Sequence, residues 1–425
     1  MLDTKEICEI LETEQRQLLN GNAKLNADRL SALELFRKIG LPDSKTEDWR
    51  YNNLSFIRNG NWKFSTSASN SLLSEIEARK KLFPNAHQLV LLNGVFQTEL
   101  SSKIVNGLLI SSLKDSFKTD ALIQSKETIN PFEELNKAVF NSGLFVEIDA
   151  SYTLDTEIHI IHAYNNNEPF WCNDRLRILA HKNSNARIIE SYLAGNVAET
   201  FCNQYAEIIL EENALLEWSI IQNFENQFYH INNTRVREQA NATFTMNTIS
   251  IAGKFIRNNL NVTYEGENCN CFLNGLFYVN GQNVCDNHLS VDHCLPNSQS
   301  NQLYKGIMDE EGTGIFNGKI FVRKDAQKTN AYQSNKNILL SKTATINSKP
   351  QLEIFADDVK CSHGATSGYL DKNAQFYLMS RGIDEKSAIA LLTYAFASEI
   401  IEKISITDAR EYCDTLIKTA MNFKG

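Results

Sequence analysis

The sequence predicts a mainly β protein whose central part winds as a β-solenoid between two α-helical regions. The main observation is a repeat, because Asn185-Ala186, Asn213-Ala214 and Asn241-Ala242 follow one another at intervals of 28 residues. Asn268-Cys269 falls one residue short of the next step. A fixed period of this length is typical of solenoids, in which every coil buries its inner face on its neighbours. Asparagine suits the turns because it tolerates the left-handed backbone conformation.

The second half of each repeat supports the same interpretation. Two sets of positions repeat in the same register. Ala206, Thr234 and Val262 form the first set, and Ile208, Val236 and Tyr264 form the second. The alternative is a long antiparallel sandwich in which the spacing is a coincidence. The matching registers favour the solenoid.

The predicted N-terminal helical region covers residues 1–85. Apolar residues recur at helical spacing between Ile7 and Leu18, and Gly21 follows as a stop. A second helix is predicted from about Ala27 to Ile39. From 86 to 367 the apolar residues alternate as in strands, and no convincing amphipathic helix is present in the sequence. This range is therefore the predicted β-helix core.

A solenoid ends in exposed sheet edges that need covering, and residues 368–425 form a predicted C-terminal helical region. Its first helix begins near Asp371, and a second begins at Asp384 as the N-cap. The second helix carries a wide apolar stripe: Ala388, Leu391, Leu392, Ala395, Phe396, Ile400 and Ile404. Such a stripe can form core, a cap or a docking surface, and core is the default.

Composition excludes several classes of function. The formal charge of −9 argues against a nucleic-acid-binding surface, which needs a basic field. No apolar run reaches the length of a membrane span, and the start MLDTKEICEI lacks the features of a secretion signal. The nine cysteines, an odd number without regular spacing, are then expected to be reduced thiols in a cytoplasmic protein.

Two groups of cysteine and histidine residues suggest a metal site only weakly. Cys285, His288, His293 and Cys294 offer four zinc ligands, but strand alternation places 288 and 294 on one face and 285 and 293 on the other. Cys269 and Cys271 share a face, which stacking inside a solenoid explains equally well.

A more informative segment lies where the strand pattern gives way to the C-terminal helices. Strand alternation puts Cys361 and His363 on one face, and the small neighbours Ser362, Gly364 and Ala365 leave these side chains accessible. A thiolate and an imidazole are ligands that iron–sulfur clusters accept. From the residues alone, a structural histidine remains the favoured alternative.

The same segment closely resembles SufD-type proteins of the SUF iron–sulfur cluster assembly system. It reads QLEIFADDVKCSHGATSG over residues 351–368. Further matching stretches are KTEDWRY at 45–51, VDH at 291–293, QLYKGI at 302–307, FNGKI at 316–320 and FYLMSRGI at 376–383. The CSHGAT string and the chain length resemble SufD more than the related SufB.

The resemblance implies a right-handed parallel β-helix that pairs with a SufB-like subunit and carries no catalytic activity. A SufC-like ABC ATPase would dock on the C-terminal helices, for which we expect Leu391, Leu392, Phe396 and Ile400 as contacts. His363, with Cys361 as an accessory, would hold a nascent iron–sulfur cluster or iron at the SufB–SufD junction. No tightly bound cofactor is expected.

Two other classes of function remain as alternatives. A solenoid carbohydrate-active enzyme needs paired carboxylates, but Asp286, Asp292, Asp309 and Glu310 form no ladder across the coils. An unrelated structural adaptor would differ in its partners. The isolated chain is also a candidate for forming a homodimer through the edge that would otherwise meet the SufB-like subunit.

Overall fold

The structure is a computed structural model that describes residues 4–19, 22–64, 72–103, 106–116, 130–194, 199–224 and 227–421. Helices α1 to α9 span, in order, Thr4–Leu18, Ala23–Ile39, Ser55–Asn59, Leu73–Lys80, Leu113–Ser116, Pro131–Val139, Lys372–Ser380, Glu385–Ile401 and Thr407–Ala420. Strands β1 to β20 span, in order, His87–Leu92, Val95–Phe96, Leu108–Ser112, Leu144–Ile148, Ile158–Tyr164, Phe170–Cys172, Arg175–Ala180, Asn185–Ala194, Thr200–Leu210, Leu215–Asn223, Phe228–Glu238, Thr243–Ala252, Phe255–Tyr264, Asn270–Val279, Val284–His293, Gln299–Met308, Thr313–Val322, Thr329–Leu339, Thr345–Ile354 and Val359–Tyr369.

The predicted β-solenoid is confirmed. Successive strands alternate between two sheets, and within each sheet a strand pairs in parallel with the strand two positions earlier along most of the body. Sheet A runs in the order β19-β17-β15-β13-β11-β9-β7-β4-β3, with β6 on β9, and sheet B in the order β2-β1-β5-β8-β10-β12-β14-β16-β18-β20. One coil therefore contributes one strand to each sheet, and the inner faces of both sheets form a continuous core.

The asparagine turns are confirmed at Asn213, Asn241 and Asn268, whose φ angles are 60°, 60° and 59°. The first predicted member is wrong: Asn183, with φ 59°, holds the equivalent turn, while Asn185 already lies in β8 opposite Leu215. The coils differ in length, with 30, 28 and 27 residues between successive register partners, so a constant period of 28 fails in places.

The same irregularity corrects two of the predicted register sets. Thr234 is opposite Ala206 as predicted, but Val262 is opposite Val236 rather than Thr234. Tyr264 is opposite Glu238. The coil between these strands is two residues shorter than the sequence period assumes.

Helices α1 to α3 lie over the outer face of sheet A, whereas α4 packs on β1 and β5 of sheet B. Predicted helix α1 is confirmed, and Gly21 lies outside the described residues. Helix α2 begins at Ala23, earlier than predicted, because the side chain of Asn22 caps it by accepting from the Leu25 amide.

Helix α6, Pro131–Val139, was not predicted. It lies within the range assigned to strands, and its apolar side chains pack on the outer face of sheet A. Asn130 caps this helix and Pro131 is at its first turn, a combination that favours a helix start.

Helices α8 and α9 cover the outer face of sheet B, and α7 packs against α8. The predicted start of α7 near Asp371 is confirmed, and Asp371 caps it by accepting from the Asn373 amide. The predicted N-cap of α8 is also confirmed, since Asp384 accepts from the Ser387 amide. Isoleucines on α8 and in the following turn pack on one apolar residue from each of several strands: Ile189, Ile221, Ile249, Leu276 and Ile307.

Candidate functional site at the open end of the solenoid

The solenoid ends in two edge strands, β19 in sheet A and β20 in sheet B. Each pairs along one edge only, β19 with β17 and β20 with β18, and the part of the chain that the structure describes adds no strand to the other edge. Their side chains are half-buried or exposed, whereas the preceding coils are largely buried. Pro350 lies in β19, a position that suits an edge strand because proline cannot donate to a ladder. These strands therefore form an uncovered end of the core.

His363 lies at the mouth of the solenoid interior. It is the register partner of Gln333 in β18, and Gln333 in turn is the partner of Gln302 in β16. Both glutamines face inward and are 3% and 0% exposed, so His363 continues an inward-facing column of side chains. The imidazole itself is exposed because no further coil covers it.

The chemistry of this column changes along the solenoid. Its earlier members are buried apolar side chains: Ile188, Trp218, Met246 and Leu273. Gln302 and Gln333 then follow, and the Gln333 amide nitrogen donates to the Gln302 amide oxygen at 2.7 Å. Among the described residues, Gln333 Oε1 and Gln302 Nε2 have no hydrogen-bond partner. The interior thus becomes polar towards His363.

Cys361 lies on the same face of β20, two residues before His363. It is half-buried and contacts the apolar cluster beneath the last coil, which includes Ala331, its register partner. Burial raises the pKa of the Cys361 thiol. The thiol is therefore protonated at neutral pH and has to lose its proton before it binds a metal. The predicted accessible His363 is confirmed by its exposure, while Cys361 is only partly accessible.

The predicted stripe on α8 divides into buried and half-buried residues. Ile400 is 0% exposed and packs with Ile401 and Ile404 on sheet B, so in this structure it belongs to the core. Leu391, Leu392 and Phe396 are half-buried. Lys305 in β16, itself 3% exposed, donates to the Phe396 carbonyl oxygen at 2.7 Å and pairs with Glu399, which ties α8 to the solenoid.

Helix α7 exposes apolar residues that sequence analysis did not single out as a surface. Phe376 is 73% exposed, Tyr377 57% and Met379 41%, and none of the helix is buried. The run of apolar residues at 376–379 was a usable signal, because consecutive apolar positions cannot all face one side of a helix.

The first weak metal candidate, which comprises Cys285, His288, His293 and Cys294, is not brought together. Cys285 and His293 are buried in the interior, and His293 is hydrogen-bonded to the Ser300 hydroxyl at 2.9 Å. His288 points to the outer face, with its Nε2 2.9 Å from an oxygen of Asp286. Burial alone would raise the pKa of the Asp286 carboxyl, but His288 and Arg257 lower it to about 2, which does not suit a general acid.

These features define a class: a parallel β-solenoid protein whose open end presents an imidazole and a thiol, both ligands of iron–sulfur clusters. Two family profiles cover most of the chain. The family described as "SUF system FeS cluster assembly, SufBD core domain" matches residues 162–396, and "SufBD protein N-terminal region" matches residues 4–160.

Relatives agree with these profiles. An iron–sulfur cluster assembly SufBD family protein of Synechocystis is 32% identical over 400 residues, which is 89% of this chain and 87% of the relative. The iron–sulfur cluster assembly protein SufD of Escherichia coli is 30% identical over 378 residues, 88% of this chain and 87% of the relative. The chain therefore belongs to the SufBD family of iron–sulfur cluster assembly proteins, with SufD among its relatives. Across the described residues, no helix combines the length and apolar character needed to cross a bilayer.

Proposed function

We propose that this chain is a scaffold subunit without catalytic turnover of its own. It pairs with a SufB-like subunit through the open end of the solenoid and is driven by a SufC-like ABC ATPase that docks on the C-terminal helices. Iron and sulfide are the substrates, assembled transiently where the two solenoids meet. The observation that carries the proposal is the exposed His363 on an edge strand with a free edge.

The ligand count supports a site shared between two chains. Cys361 and His363 offer two ligand atoms on one face of β20, whereas iron–sulfur clusters are held by about four. A thiolate of the partner completes the set. Closure of the junction then shields the sulfur ligands from oxidation between turnovers.

The contacts of α8 support a mechanical link between the ATPase and this junction. Ile400 packs on the isoleucines of sheet B, and Lys305 holds the Phe396 carbonyl oxygen and the Glu399 carboxylate. A force applied to α8 is therefore transmitted to β16 and its neighbours. In this proposal Ile400 is part of that link, and the ATPase contacts Leu391, Leu392, Phe396 and the exposed side of α7.

Anaerobic reconstitution with the SufB-like and SufC-like partners tests the role of His363. His363→Ala is expected to abolish cluster build-up without changing assembly of the complex, because the imidazole is exposed and contributes little to the fold. His363→Cys is expected to retain part of the build-up, since it restores a soft ligand. Ser362→Ala is the matched control, on the same strand but with its side chain on the opposite face. Full cluster formation in His363→Ala would refute the assigned role.

Binding of the ATPase tests the docking surface separately. Phe376→Asp and Leu392→Asp are expected to weaken co-purification with the SufC-like subunit, and Thr415→Asp on α9 is the control at an exposed polar position. Circular dichroism should show that all three variants remain folded. Retained binding by both folded variants would place the ATPase elsewhere.

A further inference from the structure

A second cluster of metal-ligating side chains lies inside the early coils of the solenoid. Cys172 at the end of β6, Cys202 in β9 and Asp174 just before β7 each direct one ligand atom to the same point. These three atoms lie within 4.8 Å of one another, and all three residues are buried. In sheet A, strand β9 is five strand spacings from the last strand β19, a distance of roughly 24 Å, so the cluster is separate from His363 in the last coil.

Strand pairing fixes the two sulfur atoms side by side. Cys172 is the register partner of Cys202 on the neighbouring parallel strand, so both side chains leave the same face of sheet A one strand spacing apart. The Cys172 thiol donates to Asp174 Oδ1 at 2.7 Å. The backbone therefore holds two sulfur ligands and one oxygen ligand without any rearrangement of the fold.

A second layer of hydrogen bonds orients the carboxylate. Asp174 Oδ2 lies 2.6 Å from His162 Nδ1 and accepts from the Tyr164 hydroxyl at 2.7 Å. The same hydroxyl is 3.3 Å from Cys202 Sγ. His162 Nε2 is 2.8 Å from an oxygen of Glu190. Metal-bound ligands are typically held by such outer partners, which fix their orientation.

The charges of this region favour a cation. Asp174 and Glu190 are both 0% exposed, and His162 is the basic side chain that lies between them. Glu190 Oε2 has no hydrogen-bond partner among the described residues. Buried carboxylates are costly unless they are paired or coordinate a metal. Two cysteine thiols beside one buried carboxylate form a donor set that is typical of a metal site.

A small cavity lies beside one of the three ligands. It has a volume of about 40 Å³ and is lined by Cys172 and Asn173 together with Glu14 and Asn141, whereas Asp174 and Cys202 do not line it. A cavity of that size holds a water molecule and therefore a small ion. Gly94, at φ 76°, lies directly against the ligand atoms: a Cβ at this position would lie 2.6 Å from Asp174 Oδ1 and 3.0 Å from Cys172 Sγ.

We propose that Cys172, Cys202 and Asp174 form a binding site for a thiophilic divalent cation such as Zn²⁺ or Fe²⁺. Two sulfur ligands and a carboxylate suit these ions better than Mg²⁺ or Ca²⁺, which prefer oxygen ligands only. On binding, the cation replaces the two thiol protons, which are released to solvent, so the charge of the buried region is unchanged. Three protein ligands leave one position of a tetrahedral ion for a further ligand.

Cobalt titration of the full-length, reduced chain tests this site directly, because Co²⁺ replaces zinc and reports its ligands by absorption. We expect one equivalent to give a sulfur-to-cobalt charge-transfer band that Zn²⁺ abolishes. Cys172→Ser and Cys202→Ser should each weaken the band, and Asp174→Asn should lower the affinity at least tenfold. Cys269→Ser, a buried cysteine elsewhere in the solenoid, is the matched control, and His363→Ala should also bind normally.

An alkylation experiment on the unmodified chain tests the same site without a variant, in case a serine variant does not fold. Because Cys172 and Cys202 are buried, the reagent is applied to the unmodified chain in mild denaturant, where the region opens transiently. Zn²⁺ should protect both cysteines there, as read by mass spectrometry, and leave Cys361 reactive. Absence of a sulfur-to-cobalt band, or a band that persists when both cysteines are serine, would overturn the proposal. Equal alkylation of Cys172 and Cys202 with and without zinc would do the same and would leave a hydrogen-bonded structural cluster. Neither result depends on the function proposed for His363.

Discussion

The two ends of the solenoid differ in how their interior is closed. At the N-terminal end the short antiparallel strands β2 and β3 finish the two sheets, and the interior residues Leu89 and Leu91 are 1% and 0% exposed. At the C-terminal end β19 and β20 follow the same parallel register, but His363 and Ala365 in inward-facing positions are exposed. A bare sheet edge of this kind readily pairs with another chain. The difference shows that one end is covered within the chain and the other is left open, which is where the proposed function places a partner.

The largest contrast should appear in stability along one inward-facing column. Trp218 is 0% exposed in the middle of this column, and Trp218→Ala removes a large aromatic from the closed core. We expect it to lower the free energy of unfolding by about 3–5 kcal/mol, against less than about 0.5 kcal/mol for His363→Ala at the open end. Denaturant unfolding measures both. Similar losses for the two variants would mean that the C-terminal end is not open.

The second contrast is expected between a buried and an exposed charge pair, in how much each pair stabilises the fold. Arg257 and Asp286 are 2% and 0% exposed and form a hydrogen-bonded pair beneath Trp49. Asp286→Ala leaves the Arg257 guanidinium buried without its partner and should lower the free energy of unfolding by about 3–5 kcal/mol. Glu47→Gln breaks the exposed pair with Lys349 at the open end and should leave the denaturation midpoint unchanged. A clear midpoint shift in Glu47→Gln would indicate that the end is more tightly closed than the structure implies.

The pH dependence of stability should contain a contribution from the interior. Burial lowers the pKa of His293 to about 4, below the ordinary value of 6.5. Between these values the unfolded chain binds a proton that the folded chain does not, so stability falls as pH falls from about 6 to about 4. In this range His293 alone changes the free energy of unfolding by about 1.4 kcal/mol per pH unit. The difference in unfolding free energy between the unmodified chain and His293→Gln should therefore shrink towards low pH; a constant difference would contradict the buried neutral imidazole.

The smallest change in stability is expected from charges placed at the mouth of the solenoid. Ala365 faces inward on β20 and is exposed, so Ala365→Lys should fold like the unmodified chain. The same change should prevent pairing with the SufB-like subunit, because it places a charge in the seam. Thr366→Lys, one residue further with its side chain outward, is the control. Size-exclusion chromatography of the mixed chains distinguishes them, and unchanged pairing by Ala365→Lys would move the interface away from this edge.

Local turn chemistry explains why the solenoid was predictable and its register was not. Asn213 and Asn241 occupy left-handed turns that favour asparagine, so their spacing revealed the coils. The first coil has two more residues than the next, which placed the turn at Asn183 instead of Asn185. Loop length changes at little energetic cost, so a strict period is not required to maintain strand pairing.

The site was predictable where it depended on alternation along one strand and not where it depended on contacts between coils. Cys361 and His363 are two residues apart, so alternation placed them on one face. Cys172 and Cys202 are 30 positions apart and meet only through the pairing of β6 with β9, which involves a strand of three residues. The burial of Ile400 was equally hidden, because an amphipathic stripe does not reveal whether it covers the chain's own sheet or another protein.

Hydrogen exchange of the backbone amides in β19 and β20 tests the open end most directly. In the dilute chain alone, the amides directed to the free edge of each strand should exchange rapidly, while those of β14 and β16 remain protected. Addition of the SufB-like subunit should slow exchange at the free edges of β19 and β20 and leave the N-terminal strands β1 and β4 unchanged. Protection of these edges that is the same in the monomeric chain and in the complex would contradict the account.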